Sequence, residues 1–402
     1  MTIFQEALCF RKNVISIFEV SAERLIFRFY WLFVLYAKEE QLIDSLILKN
    51  YKNFKLLKLD DLKRINIFSG KNNTGKTSVL EAIFMFYDRA SPDLTIKSNV
   101  WRGVTNIELS PSYLWQPFFY NFDLSETVSI EITDSGHKGK AEYKHVEETV
   151  QNLTIPKDSI IRNKIESSGN ILMGSLESSY YGDKDRSVGK TSLFVNNNQL
   201  NMNVNDLMGV TKETIFLNSS ARGNGQHDAE RLGKLDIEEG LDEITDYLRI
   251  IEPRLKSVSI VPKGSHSIVY ADIGLKRKIP LSSMGEGINK FLSVLVSLLT
   301  NSKGIVLIDE IENGIHYSFF PKIWEIIDKV SKDKKTQVFI TTHSNDVIKG
   351  VYSYWKENSQ DISVKDKDLC FIRFDEINKN IIPKYYDSSA LNAAVDREWD
   401  VR

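Results

Sequence analysis

Ile65-Asn66-Ile67-Phe68-Ser69 leads into Gly70-Lys71-Asn72-Asn73-Thr74-Gly75-Lys76-Thr77 and then into Ser78-Val79-Leu80-Glu81-Ala82-Ile83. The first five residues alternate as a short strand does, and the last six carry helical spacing. Between them, glycines let main-chain N–H groups curl around a phosphate while the new helix points its positive end at it. Lys76 is spaced to bridge phosphate oxygens, and the Thr77 hydroxyl to ligate Mg²⁺. The candidate phosphate contacts are therefore Gly70, Asn72, Asn73, Thr74, Gly75, Lys76, Thr77 and Ser78. A strand before and a helix after set this apart from a chance match in a Gly/Asn-rich turn. Gly189-Lys190-Thr191 is a useful control: the position five before Gly189 is Lys184, not glycine, and no strand leads into it. It reads as a decoy in a polar loop.

Two later segments supply acids and a histidine at strand ends. Ile305-Val306-Leu307-Ile308, bounded by Gly304 and ending in Asp309-Glu310, has the continuous apolar character of a parallel strand buried on both faces. Asp309 would hold Mg²⁺ through its water shell, while Glu310, on the other side of the strand, would orient and deprotonate water attacking a γ-phosphate. Gln337-Val338-Phe339-Ile340-Thr341 forms a second strand ending at Thr342-His343-Ser344. From there His343 can hydrogen-bond the γ-phosphate or the attacking water. Pro280-Leu281-Ser282-Ser283-Met284-Gly285-Glu286-Gly287 precedes a helix whose apolar face is Ile288, Phe291, Leu292, Leu295 and Leu299. Its glycines thin the helix start, so an exposed N-terminus with a serine beside it makes a second anion site; a plain capped helix fits equally.

Taken in order, these segments resemble the ABC-type ATPase heads of the SMC, RecF and OLD (overcoming lysogenisation defect) group, many of whose prokaryotic relatives carry only the label "AAA family ATPase". The resemblance runs from about Leu42 to Arg402 and includes the opening Leu46-Ile47-Leu48-Lys49-Asn50-Tyr51-Lys52-Asn53-Phe54, similar to that group's first strand and Asn-Phe element. It implies an α/β P-loop NTPase fold, a mixed β sheet flanked by helices, with ATP and Mg²⁺ as cofactors. Ser283 and Gly285 stand where the LSGGQ-type signature would sit, with Met284 and Glu286 departing from it. Glu312-Asn313-Gly314-Ile315-His316 matches the loop after the acid pair, and His343 the switch histidine. Catalysis would fall to Glu310, His343 and Lys76, and metal binding to Thr77 and Asp309. Gln116, in Leu114-Trp115-Gln116-Pro117, is the candidate Gln-loop residue, although Trp115, Phe118 and Phe119 around it equally suit a core.

The same resemblance implies an ATP-sandwiched homodimer or higher oligomer and a cytoplasmic antiphage or genome-maintenance switch. A nuclease or toxin encoded separately would be its effector. The alternative is a RecF-like, ATP-gated DNA-binding protein, which leaves nucleic acid open as a ligand. An ATPase subunit of a membrane transporter fits the first strand and the signature less well. The expected organisation is an extension of doubtful status at 1–41, the first part of the head at 42–140, a compact α+β insertion or lid at 141–265, and the second part of the head at 266–402.

Composition is that of an ordinary globular chain: 402 residues, 42% hydrophobic and 26% charged, with 52 Lys+Arg against 54 Asp+Glu. A formal charge of -2 carries no basic footprint, so nucleic-acid contact would need a local patch. Cys9 and Cys370 are too few for a four-ligand zinc site and read as free thiols. The apolar run Leu25–Ala37 is too short to cross a bilayer, and Glu6, Glu19 and Glu23 spoil a signal peptide.

Between Gln116 and Ser283 no heptads are sustained, which excludes a long coiled-coil arm. Asp228 to Val258 reads as helical with an interruption at Pro253, and Ser267 to Ile273 as a strand. Arg222, in Asn218-Ser219-Ser220-Ala221-Arg222, could reach a phosphate or a partner, though a solvated loop arginine is the plainer reading. Asp366-Lys367-Asp368 precedes a strand instead of following one, so no TOPRIM nuclease is expected, and His137, His145, His227 and His266 lack companions at metal spacing.

Overall fold

β1 (Ile43–Tyr51) and β2 (Phe54–Leu59) open the fold as a hairpin in the computed structural model, with Lys52 in its turn at φ +50°. The structure describes residues 42–88, 94–102, 111–146, 172–182, 186–196, 199–205, 212–219, 225–238, 240–264, 266–358 and 368–397. The expected extension at 1–41, with Cys9, and Arg222 lie outside them.

β3 (Ile65–Gly70) runs through the phosphate-loop sequence into α1 (Lys76–Tyr87), and α2 (Leu94–Trp101) follows. Five strands come next in an antiparallel meander: β4 (Thr127–Asp134), β5 (His137–Val146), β6 (Leu172–Tyr181), β7 (Arg186–Asn196) and β8 (Gln199–Asn205). Then come β9 (Thr214–Leu217), α3 (Gly225–Ile237), α4 (Leu241–Leu248), β10 (Ser257–Lys263), β11 (His266–Asp272) and β12 (Ile279–Pro280). The last third holds α5 (Glu286–Thr300), β13 (Ile305–Ile308), α6 (Phe320–Lys334), β14 (Gln337–Thr341), α7 (Asn345–Asn358), β15 (Leu369–Ile377), β16 (Asn380–Tyr386) and α8 (Ser388–Asp396).

Three sheets result. The central one has the order β16-β15-β3-β14-β13-β9, parallel throughout except for β16. Its register aligns Ile67 with Ile340, Ile340 with Ile308, and Ile308 with Leu217, so the carboxyl ends of four strands share one edge. Every residue of β3, β13 and β14 is buried because both faces are covered. With a side-chain period of two, Ile65, Ile67, Val306, Ile308, Val338 and Ile340 join the core beneath α5 and α6. Phe68, Ile305, Leu307 and Phe339 face the other core, with α1 and the antiparallel sheet. That second sheet, of order β2-β1-β4-β5-β6-β7-β8, is tied to the first by Gln337. The fully buried Gln337 side chain bonds the main chain of Ile43 at 2.8 and 3.0 Å and the Lys63 carbonyl at 2.9 Å. β10, β11 and β12 make the small third sheet.

Two expectations need correction. The stretch 141–265 is not one insertion: β9 is a strand of the central sheet, pairing with β13, and α3 and α4 pack against α5. Gly189-Lys190-Thr191 is not a loop but part of β7: all three pair with β6, and Lys190 and Thr191 also with β8. Among the described residues no helix is long and apolar enough to cross a membrane. Cys370 is a free, buried thiol.

Candidate active site

The loop after β3 is shaped by what lies under it. Gly75 has φ +87°, and a Cβ there would come within 2.3 Å of the Phe54 ring. Asn53 Nδ2 donates to the Asn73 carbonyl at 3.2 Å, so the β1–β2 turn supports the loop. Only glycine combines that backbone with that approach. Inside the loop, Thr74 Oγ1 donates to the Lys71 carbonyl at 2.9 Å. Lys76 Nζ donates to the carbonyls of Gly70 and Lys71 at 2.6 and 2.8 Å, which holds the ammonium in the curl of the loop. Asn72 and Asn73 are exposed, while Thr74, Lys76 and Ser78 are buried. Burial lowers the Lys76 pKa from its ordinary value, against the raising influence of Asp309, Glu310 and Glu312.

Across the sheet edge, Asp309 is 3% exposed and gathers hydroxyls. Thr77 Oγ1 donates to its Oδ1 at 2.8 Å and Thr341 Oγ1 at 2.6 Å, and the Ser219 hydroxyl also bonds it. Burial raises the Asp309 pKa above the usual carboxylate range, and those three hydroxyls oppose the rise. A hydroxyl and a carboxylate this close are the hard oxygen donors Mg²⁺ takes from a protein when phosphates and water complete its shell. Thr77 and Asp309 could therefore hold that ion.

Glu310 follows with φ +47°, a left-handed conformation that costs an L residue of this type about 1–3 kcal/mol. Its N–H donates to Thr341 Oγ1 at 2.9 Å, and its Oε2 accepts from Asn313 Nδ2 at 2.9 Å. Its Oε1 lies 3.9 Å from His343 Nδ1. Glu312 is the nearer partner of His343: Oε1 accepts from the His343 N–H at 2.8 Å and lies 3.2 Å from Nδ1.

The structure thus brings Lys76, Thr77, Asp309, Glu310 and His343 to one edge. Ser283 and Gly285 stand exposed beside the start of α5, where Gly285 occupies the N-cap at φ +110° and no side chain caps the helix. Gln116 lies on a separate segment. It opens a short 3₁₀ turn held by buried Trp115, Phe118 and Phe119, and the Phe118 carbonyl accepts from the Lys52 N–H at 3.0 Å. Among the described contacts none joins Gln116 to the phosphate loop. The position beside the acid strand belongs to Asn218-Ser219, at the end of β9. Ser219, Thr341 and Lys290 were missed by the sequence reading. Only Thr341, the last residue of a strand that ends beside a histidine, carried a local signal.

A parallel sheet with a phosphate loop on one strand, an acid pair two strands away and a Thr-Thr-His end between them defines a P-loop ATPase head of the ABC type. The chain belongs to the family described as "AAA domain, putative AbiEii toxin, Type IV TA system", which matches residues 65–349. It is 25% identical over 378 residues to the "ATP/GTP phosphatase" of Helicobacter pylori, covering 89% of this chain and 99% of that one. A shorter similarity, 51% over 45 residues, links 11% of this chain to 12% of the DNA replication and repair protein RecF of Rickettsia canadensis. Among solved structures, the Smc head bound to the C-winged helix domain of ScpA is similar at 12% identity, with a TM-score of 0.44 over 88% of this chain and 99% of that one.

Proposed function

We propose that this ATPase binds ATP with Mg²⁺, closes as a dimer around it and reopens on hydrolysis, serving as a switch for a separately encoded effector. The observation that carries the reading is the Thr77–Asp309–Thr341 hydroxyl-carboxylate cluster beside the loop-held Lys76. Lys76 and the loop amides would offset the phosphate charge. Bound at Thr77 and Asp309, Mg²⁺ would neutralise charge on the phosphate oxygens. Glu310 accepts the proton of the attacking water, and His343 hydrogen-bonds the γ-phosphate or that water. Ser283 and Gly285 of a second copy complete the clamp, a role supported by their exposure at the start of α5.

The antiphage setting, with a nuclease or toxin as partner, follows from the resemblance to the SMC, RecF and OLD group; the family's own description names a putative AbiEii toxin of a type IV toxin–antitoxin system. Glu310→Gln is the test: it should bind ATP and turn over at least about a hundredfold slower, and ordinary hydrolysis would remove Glu310 as the base. Native mass spectrometry of that variant, purified from its host with Mg²⁺ and ATP, should show a nucleotide-loaded dimer with a second polypeptide. An ATP-independent monomer would count against the shared site.

A second reading, ATP-gated DNA binding, is favoured by the 45-residue similarity to RecF, which spans 12% of that protein. DNA-stimulated hydrolysis with a steep salt dependence would support it.

A further inference from the structure

The peptide unit between Asp309 and Glu310 is held from both sides. Its N–H donates to Thr341 Oγ1 at 2.9 Å, and its carbonyl accepts from Lys290 Nζ at 3.0 Å. Lys290 stands on α5, half-buried, and reaches also to the Asn218 carbonyl at the end of β9, at 3.5 Å. Three carboxylates, on Asp309, Glu310 and Glu312, lie near enough to act on its charge. Its described hydrogen bonds nevertheless go to main-chain carbonyls, so its geometry is spent on the backbone while its charge offsets the acids around it.

This matters because Glu310 sits at φ +47°. A side chain in the left-handed region stays there only while its surroundings impose it, and a turned peptide would carry the Glu310 carboxylate away from Asn313 and His343. The same helix meets the loop after the acids without side chains between. A Cβ at Gly287 would lie 2.3 Å from the Gly314 carbonyl oxygen, and one at Gly314 2.7 Å from Glu286 Cβ. Displacement of the α5 start therefore reaches the acid strand by two routes, Lys290 and the Gly287–Gly314 contact.

We propose that Lys290 is a positioning residue for Glu310: by locking the Asp309–Glu310 peptide it sets the aim of the general base and couples that aim to the Ser283–Gly285 segment that leads into the same helix. The proposal rests on the ATPase reading given above.

The test compares wild type, Lys290→Met, Lys290→Arg and Glu310→Gln by steady-state ATP hydrolysis, by equilibrium titration with a fluorescent ATP analogue and Mg²⁺, and by thermal unfolding. Lys290→Met should lose about tenfold to a hundredfold in kcat, the cost of a misplaced catalytic group, with analogue affinity and melting temperature kept. Lys290→Arg, which retains a charged donor, should recover part of the kcat. Wild-type kcat in Lys290→Met overturns the proposal. So does a rise in KM at constant kcat, which would make Lys290 a direct phosphate contact, or a failure of both variants to fold, which would make it structural. If Glu310→Gln is inactive while Lys290→Met is not, only the positioning role falls. If wild type does not hydrolyse ATP, the ATPase reading falls and takes this role with it.

Discussion

Glu312 holds both the main chain and the ring of His343: its Oε1 accepts the His343 N–H at 2.8 Å and lies 3.2 Å from Nδ1. A carboxylate at Nδ1 favours the tautomer protonated there and leaves Nε2 for the phosphate side. Glu312→Gln keeps the size of the side chain and loses its charge. We expect kcat to fall about tenfold or more, within the range of a disturbed acid–base contact, with the affinity for a fluorescent ATP analogue unchanged. A variant hydrolysing ATP at the wild-type rate would show that the pair does not orient the histidine.

Gly75 should tolerate no side chain. Alanine there would combine φ +87° with a Cβ at 2.3 Å from the Phe54 ring and 2.7 Å from Asn53 Nδ2. Gly75→Ala is expected to abolish nucleotide binding in a titration, as Lys76→Ala should through loss of the phosphate-bridging charge. Phe54→Ala in the same chain relieves the closest of these contacts, so partial recovery of binding in the double variant identifies the hairpin as the loop's support.

Glu81, on α1, is fully buried and neutralised by two cations. Lys52 from the β1–β2 turn bonds it, and Arg102 grips both of its oxygens at 3.1 Å. Burial alone would raise its pKa, but Lys52 and Arg102 outweigh this and hold it below the usual value. Glu81→Ala leaves Lys52 buried without its partner and should cost about 3–5 kcal/mol in urea unfolding. A loss within a few tenths of a kcal/mol would mean that Lys52 finds water.

Asp228 links stability to pH. It is 3% exposed on α3, accepts from the Ser293 hydroxyl on α5 and faces Arg231. Burial pushes its carboxyl up to about 6, against that hydrogen bond and the charges of Arg231 and His227. A carboxyl that binds its proton more tightly folded than unfolded loses stability as pH rises from about 4 to about 6, and the loss is complete above that window. A difference of this size corresponds to about 3 kcal/mol. Urea unfolding of Asp228→Asn should therefore gain on wild type by up to that amount between pH 4 and pH 7. Parallel pH profiles for the two proteins would show that Asp228 does not titrate there.

The sequence by itself determined the phosphate loop, the acid strand and the histidine strand, because each is written in contiguous residues whose period and termini report burial and turn locally. Ile305 to Ile308 is legible as a strand covered on both faces, and Lys76 and Thr77 as neighbours in one turn, without knowing any partner. Tertiary structure alone decided which residues meet across the sheet edge. Ser219 reaches Asp309 because β9, embedded in a stretch that reads as an insertion, pairs in parallel with β13. Lys290 reaches the Asp309 carbonyl because α5 packs its apolar face on that sheet and brings Lys290 to the strand's end. Gln116 opens a turn whose neighbours Trp115, Phe118 and Phe119 are buried and whose Phe118 carbonyl accepts from the Lys52 N–H of the hairpin, a contact no local pattern announces. The physical reason is the same in each case: local periodicity records how much of a residue is buried, while the partner it is buried against is set by strand pairing between residues far apart in the chain.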